Sequence, residues 1–146
     1  MTTMAVIVFL VLALIAAAHA AWGFGVSFPA ANREDLFHLV IGARGSSEMP
    51  SLVQCLAAAA AIFCAGASAL LVADVIKTPL PPSLVTVVGA LVALVFAGRG
   101  VAAYTSAWRR RFPKEPFAGM DRSCYGPLCL MLALCFSVLL IKRVMT

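Results

Sequence analysis

Residues 51–76 read SLVQCLAAAAAIFCAGASALLVADVI, a run in which Asp74 is the only charged side chain. A helix needs about 20 consecutive apolar residues to cross the hydrocarbon core of a bilayer, and this run exceeds that without showing a polar face. It therefore predicts a membrane span. Working outward, three more runs have the same character, at about 5–26, 84–107 and 125–141. In lipid every backbone amide must be bonded inside its own segment, so all four are expected to be α-helices. Between the second and third runs lies Lys77-Thr78-Pro79-Leu80-Pro81-Pro82-Ser83. Its prolines cannot continue a helix, which predicts an antiparallel hairpin of those two spans. The expected fold is all-α: a single domain over 1–146, a polytopic membrane protein built as an antiparallel four-transmembrane-helix bundle.

Composition agrees. The chain is 63% hydrophobic and 12% charged, with a mean hydropathy of +1.02, whereas a soluble domain carries about 25% charged residues. A cytosolic enzyme or a nucleic-acid binder is excluded on that ground. The net charge of +5 comes from basic residues placed between the apolar runs, where they orient a chain in the bilayer. No nucleic-acid partner is implied. Five cysteines without a C-x-x-C form neither a disulfide framework nor a zinc pattern; they are expected to be reduced, small and buried. Ala18-His19-Ala20 resembles a signal-peptide cleavage site, but no Lys or Arg precedes the first run, which favours a retained span.

Lys77, Lys142 and Arg143 share one end of the predicted bundle with both termini. Arg33, Arg44, Arg109, Arg110, Arg111, Lys114 and Arg122 occupy the other. The excess predicts termini outside, with loops one and three in the cytoplasm. In loop one, Asn32 is placed to cap a short helix at about 33–41, with Asp35 in the capping-box position. Leu36, Phe37, Val40 and Ile41 then share one side, as in a helix lying at the membrane interface. In loop three, Trp108 precedes Arg109, Arg110, Arg111 and Lys114. Each basic residue near an anionic surface contributes about 1 kcal/mol, so this segment is expected to contact anionic lipid head groups, to anchor the topology, or both.

Small residues recur every fourth position. The second span has Ala57, Ala61, Ala65, Ala69 and Ala73; the first has Ala13, Ala17, Ala21 and Gly25; the third has Gly89, Ala93 and Ala97; the fourth has Cys129, Ala133 and Ser137. Such stripes allow close approach of helix backbones and are expected to pack helices. On the first and third spans they point away from His19 and Arg99, toward a second protein or a second copy.

His19 and Arg99 are the ionisable groups at membrane depth. An Arg at a helix centre costs about 2.5–3.5 kcal/mol on insertion scales and is rarely left facing lipid. Both are expected to turn inward, bringing His19, Trp22 and Gly23 to Arg99, Ala102, Ala103 and Ser106. Asp121 is the expected partner of Arg99, with the Tyr125 hydroxyl nearby. This cluster reads either as an ion pair that locks helices or as a cationic site for an anionic head group or substrate. His19 with His38 is a conceivable haem ligand pair, without further ligands to support it. Cys129 and Cys55 sit in apolar settings that leave a thiol inert. With no Ser/His/Asp arrangement, Gly-rich phosphate loop or H-E-x-x-H motif, neither catalysis nor a metal or cofactor is predicted.

His19-x-x-Trp22-x-x-Gly25, Arg99-Gly100, Phe117-Ala118-x-x-Asp121 and Tyr125-x-Pro127-Leu128-Cys129-Leu130 together resemble a family of small bacterial integral membrane proteins known as a domain of unknown function. The resemblance covers nearly the whole chain and is most specific from Arg99 to Leu130. It implies a four-helix membrane fold in a bacterial inner membrane and no biochemical activity, and it singles out His19, Trp22, Arg99, Asp121 and Tyr125. Family members often have Ser after the tyrosine, where this chain has Gly126. The expected role is that of an accessory or scaffold subunit that packs against a larger membrane complex or against itself. The rival roles are a membrane-embedded binder of an anionic or lipid-like ligand at His19 and Arg99, and a haem- or redox-linked subunit.

Overall fold

The computed structural model describes residues 1–45 and 48–145. All regular structure among them is helical: α1 (Thr2–Gly23), α2 (Arg33–Val40), α3 (Leu52–Val72), α4 (Pro82–Ala102), α5 (Ser106–Arg111), α6 (Phe117–Met120), a π-helical turn (Asp121–Tyr125) and α7 (Gly126–Met145). Four helical rods are long and apolar enough to span a membrane: α1, α3, α4 and the continuous stretch Phe117–Met145. The protein is thus the four-helix membrane bundle that its apolar runs predict.

Local chemistry sets the helix ends. α1 stops before Gly25, which turns the chain at φ +96°, a backbone conformation that costs glycine little. The span therefore ends short of residue 26. α3 opens with a capping box: Ser51 accepts from the Gln54 N–H, and the Gln54 side chain accepts from the Ser51 N–H. α4 begins at Pro82, whose missing N–H costs nothing in a first turn, and ends at Ala102, not at 107. The reason is Thr105, whose hydroxyl accepts from the Trp108 N–H and starts the separate helix α5. The fourth rod begins at Phe117, eight residues ahead of the expected 125, because the π-helical turn joins α6 to α7 without a break. In loop one the expected cap is present, with the Asp35 N–H donating to Asn32 Oδ1 at 2.9 Å. Leu36 and Phe37 are buried, and Val40 and Ile41 half-buried.

The four rods associate as two close pairs, α1 with α3 and α4 with α7. The pairs meet through α3 and α4 and through contacts of α7 with α1 and α3. The expected α3–α4 hairpin exists, but as a looser contact than either pair. Val8 and Leu12 of α1, Ala69 and Val72 of α3, Val85 and Ala93 of α4, and Leu132, Phe136 and Leu139 of α7 form the common core.

The stripes are only partly contact lines. On α3, Ala69 is buried and Ala65 and Ala73 are half-buried, but Ala57 and Ala61 are exposed. Each i+4 step overshoots a full turn by about 40°, so the first and fifth alanines lie about 160° apart. No single neighbour can cover all five. The contact passes instead through Cys55, Ala59 and Gly66; a Cβ on Gly66 would lie 3.1 Å from Leu12 Cβ. On α1 the buried line is Ala5, Val8, Leu12 and Ala16, while Ala17 of the expected stripe is exposed. On α4 the stripe faces inward, contrary to expectation. Gly89 and Ala93 are buried, with Gly89 against Val72 and Leu140. Glycines, where backbones approach most closely, set the contact lines.

Arg143 ties the end that holds the termini. Its Nη1 donates to the Leu71 and Val72 carbonyls at 3.3 and 3.1 Å and to Asp74 Oδ1 at 2.9 Å, and its Nε donates to Thr86 Oγ1 at 3.3 Å. The last carbonyls of α3 have no partner within their own helix, so this one guanidinium joins α3, α4 and α7. Asp74 is 76% exposed, and its pairing adds little; the carbonyls matter more. Arg143→Met is expected to cost about 1.5–3 kcal/mol, read as a lower melting temperature in detergent. An unchanged melting temperature would mean that water serves those carbonyls equally well.

Candidate functional site

At the opposite end, the last turn of α4 carries Arg99 and the π-helical turn begins with Asp121. One turn of α7's rod is wound one residue wider here, with the Gly126 N–H closing onto the Asp121 carbonyl. Such turns recur at functional sites. Position 126 has no room for a side chain, since a Cβ there would lie 2.8 Å from the Asp121 carbonyl oxygen and 3.0 Å from Ala103 Cβ. Gly100 likewise sits directly on Leu130. The two glycines let α4 and α7 approach closely enough for Arg99 to reach the carboxylate.

Arg99 Nη2 lies 2.5 Å from Asp121 Oδ1, and Trp108 Nε1–H donates to Asp121 Oδ2 at 2.9 Å. The guanidinium carbon of Arg99 is 4.7 Å from the centre of the Trp108 ring. Both carboxylate oxygens are therefore engaged, and the cation is paired on its edge and stacked on its face. Asp121 is 1% exposed and Arg99 29%. Arg99 Nη1 is buried without a hydrogen-bond partner. Opposite charges in contact, in a setting this dry, make a neutral clasp between α4, α5 and the π-helical turn.

His19 does not join this clasp. Its Nδ1 donates to the Ile15 carbonyl at 2.9 Å, and its ring lies 4.9 Å from that of Trp22. The two residues line a cleft of about 510 Å3 bounded by α1, α2 and the start of α3, with Phe37, Gln54 and Cys55 among its walls. The expected meeting of His19 and Arg99 fails because α1 pairs with α3 and α4 with α7, and each polar group finds its partner within its own pair. Trp22 Nε1–H donates to the Phe28 carbonyl at 2.9 Å, and Arg33 donates to the Trp22 carbonyl at 3.1 Å, capping α1. His38 stands edge-on to Phe37 with its Nδ1 buried and unpartnered; it does not line the cleft that holds His19.

Tyr125 is bonded elsewhere. Its hydroxyl donates to the Leu39 carbonyl at 3.3 Å, so it ties the fourth rod to the end of α2 and makes no hydrogen bond to the Arg99–Asp121 pair. The aromatic that does contribute is Trp108, which the sequence suggests only as an interfacial anchor. The available signal was Thr105, a capping residue that turns residues 106–111 into a helix and so aims Trp108 back at the bundle. The basic segment divides in the same way. Arg109 faces inward, donating to the Ala118 carbonyl at 3.1 Å with its Nε buried. Arg110 and Arg111 are exposed, and Lys114 is half-buried.

A family model described as "Protein of unknown function (DUF3995)" matches residues 12–136. No curated protein and no solved structure matches the chain.

Proposed function

The chain belongs to the DUF3995 family of proteins of unknown function, and from that premise we propose that it acts as a small accessory or scaffold subunit, working by helix contact with a larger membrane protein or with a second copy. The observation that carries this reading is the outward side of α3. Ala57, Ala60, Ala61 and Cys64 are all exposed there, while the opposite side of the helix packs on α1. Lipid offers no hydrophobic drive for helix association, so a face of small side chains gains contact only from another helix that approaches closely. The Arg99–Asp121–Trp108 clasp, with both carboxylate oxygens engaged, supports the same reading, as a frame that holds the loop end rigid. In this proposal the arginine-rich end lies in the cytoplasm of a bacterial inner membrane, against anionic head groups, with both termini outside.

Purification in mild detergent tests it, comparing the unaltered chain with Ala57→Leu/Ala61→Leu. The substitutions lie on an exposed face and leave the fold unchanged. The expected result is stoichiometric recovery of a partner, or of a dimer, by the unaltered chain and its loss in the variant. Equal recovery by both would refute the role of this face.

A second reading, a membrane-embedded binder of a lipid-like ligand, is favoured by the cleft beside His19 and Trp22. Its volume lies within the range of small-molecule sites. Native mass spectrometry is expected to show a retained ligand that His19→Ala and Trp22→Ala release; retention by both variants would remove this reading.

A further inference from the structure

We propose that Arg44, Arg110 and Arg111 form a binding site for a phosphate group, carried on a lipid head group or free in solution. The three line one cavity of about 550 Å3, whose remaining walls are Ala43, Ala107 and Phe112. Two segments distant in sequence build it, the end of loop one and the end of α5. Backbone hydrogen bonds hold them together, from the Arg44 N–H to the Arg111 carbonyl at 3.1 Å and from the Lys114 N–H to the Gly42 carbonyl at 3.3 Å. Gly42 makes this clasp possible: its φ is +59°, and a Cβ there would lie 2.6 Å from Phe117 Cβ. The cavity is thus a feature of the folded backbone and does not depend on chance convergence of long side chains.

The use of most of the other arginines gives the site its character. Arg33, Arg99, Arg109 and Arg143 each donate to a carbonyl or carboxylate of the fold, while Arg122 is exposed and lies outside the cavity. Arg44, Arg110 and Arg111 remain exposed, and no carboxylate of the described residues lines their cavity. The Arg111 guanidinium lies 5.9 Å from the centre of the Phe112 ring, which braces it at the cavity wall. Three like charges around one concavity repel unless an anion enters. A phosphate presents enough oxygens to meet several guanidinium forks at once, whereas a single carboxylate presents two. α5 begins a few residues past the end of α4, so the cavity sits at the depth of the head groups. Its apolar wall of alanines and Phe112 suits the glycerol side of a lipid.

This inference deepens the head-group contact proposed above and is independent of helix docking by α3. The test therefore uses the purified full chain alone, in neutral detergent, titrated by native mass spectrometry with dioctanoyl phosphatidic acid and with dioctanoylglycerol, which lacks the phosphate. Saturable binding of the phosphatidic acid is expected, with none of the diglyceride. Arg44→Gln/Arg110→Gln should weaken it by about tenfold or more, whereas Lys77→Gln, at the opposite end, should not. Arg111→Lys keeps the charge and loses the fork, and should also weaken binding; it serves if the double variant does not fold. Competition by inorganic phosphate would support the site and show that the phosphate alone suffices; binding that phosphate cannot displace would support it as a lipid site. Binding unchanged in the arginine variants, equal weakening by Lys77→Gln, or equal binding of the diglyceride would overturn the proposal.

Discussion

Asp121→Ala is expected to cost about 3–5 kcal/mol, enough to empty the membrane of folded protein in many expression hosts. The substitution removes the acceptor of the Trp108 indole N–H and the counter-charge of Arg99 in one step, the only ones among the described residues. Arg99 is 29% exposed and already has one buried nitrogen without a partner, so it cannot turn to water without unstacking from Trp108. Asp121→Asn should cost less, because a side-chain oxygen remains to accept from Trp108 while the charge is lost. The paired change Arg99→Met/Asp121→Leu separates frame from function. Replacing both members of a buried pair by apolar groups of similar volume is often neutral or better, so this variant should regain the part of the loss due to the unpaired charge, while the Trp108 N–H still lacks its acceptor. Melting temperature in detergent, with Trp108 fluorescence in a Trp22→Phe background, follows all three. If the double variant is as unstable as Asp121→Ala, the pair is not the clasp described here. If it is stable and still recovers its partner, the clasp is structural and the contact surface lies elsewhere.

Sequence alone shows the parts of this molecule whose physics is local. Length and apolarity mark the spans, because hydrocarbon thickness and backbone hydrogen bonding leave a chain of this composition little choice. Asn32 with Asp35 is a cap between residues three apart, visible as a pair before any fold exists. The Arg99–Asp121 pair is nearly as accessible, since a buried guanidinium needs an acid at its own depth and few are available. What fails is everything that depends on which helix lies beside which. A four-residue alanine repeat gives no azimuth beyond one turn or two, so Ala57 and Ala61 turn outward while Ala69 turns in. His19 and Arg99 are both ionisable groups within apolar runs, but that does not place them on neighbouring helices. The break at Ala103-Tyr104-Thr105 moves Trp108 from the interface into the clasp, and a one-residue widening of a helical turn is a choice made by tertiary contacts. Arg143, read as a topology marker, is a cap for a helix it does not belong to.

The line along which α4 meets α7 gives the second large expected effect, and it turns on two glycines two residues apart. A Cβ on Gly98 would meet nothing within 4 Å, whereas one on Gly100 would lie 2.6 and 2.7 Å from Leu130 side-chain carbons and 3.0 Å from the Leu130 backbone nitrogen. Gly98→Ala should therefore show only the ordinary gain of replacing glycine within a helix, up to about 1 kcal/mol. Gly100→Ala receives the same gain and must also force Leu130 aside or move α7 away. Leu130 is 37% exposed and can rotate, but its backbone nitrogen cannot move unless the helix does. Overpacking of this kind costs about 1–3 kcal/mol, so Gly100→Ala should be destabilised relative to Gly98→Ala, and Gly100→Leu further still. The displacement falls beside Arg99, one residue earlier, so it should lengthen the reach to Asp121 and shift the Trp108 emission, which Gly98→Ala leaves unaltered. Equal melting temperatures and emission spectra for Gly98→Ala and Gly100→Ala would show that α4 and α7 are not in the close contact on which the Arg99–Asp121 clasp depends.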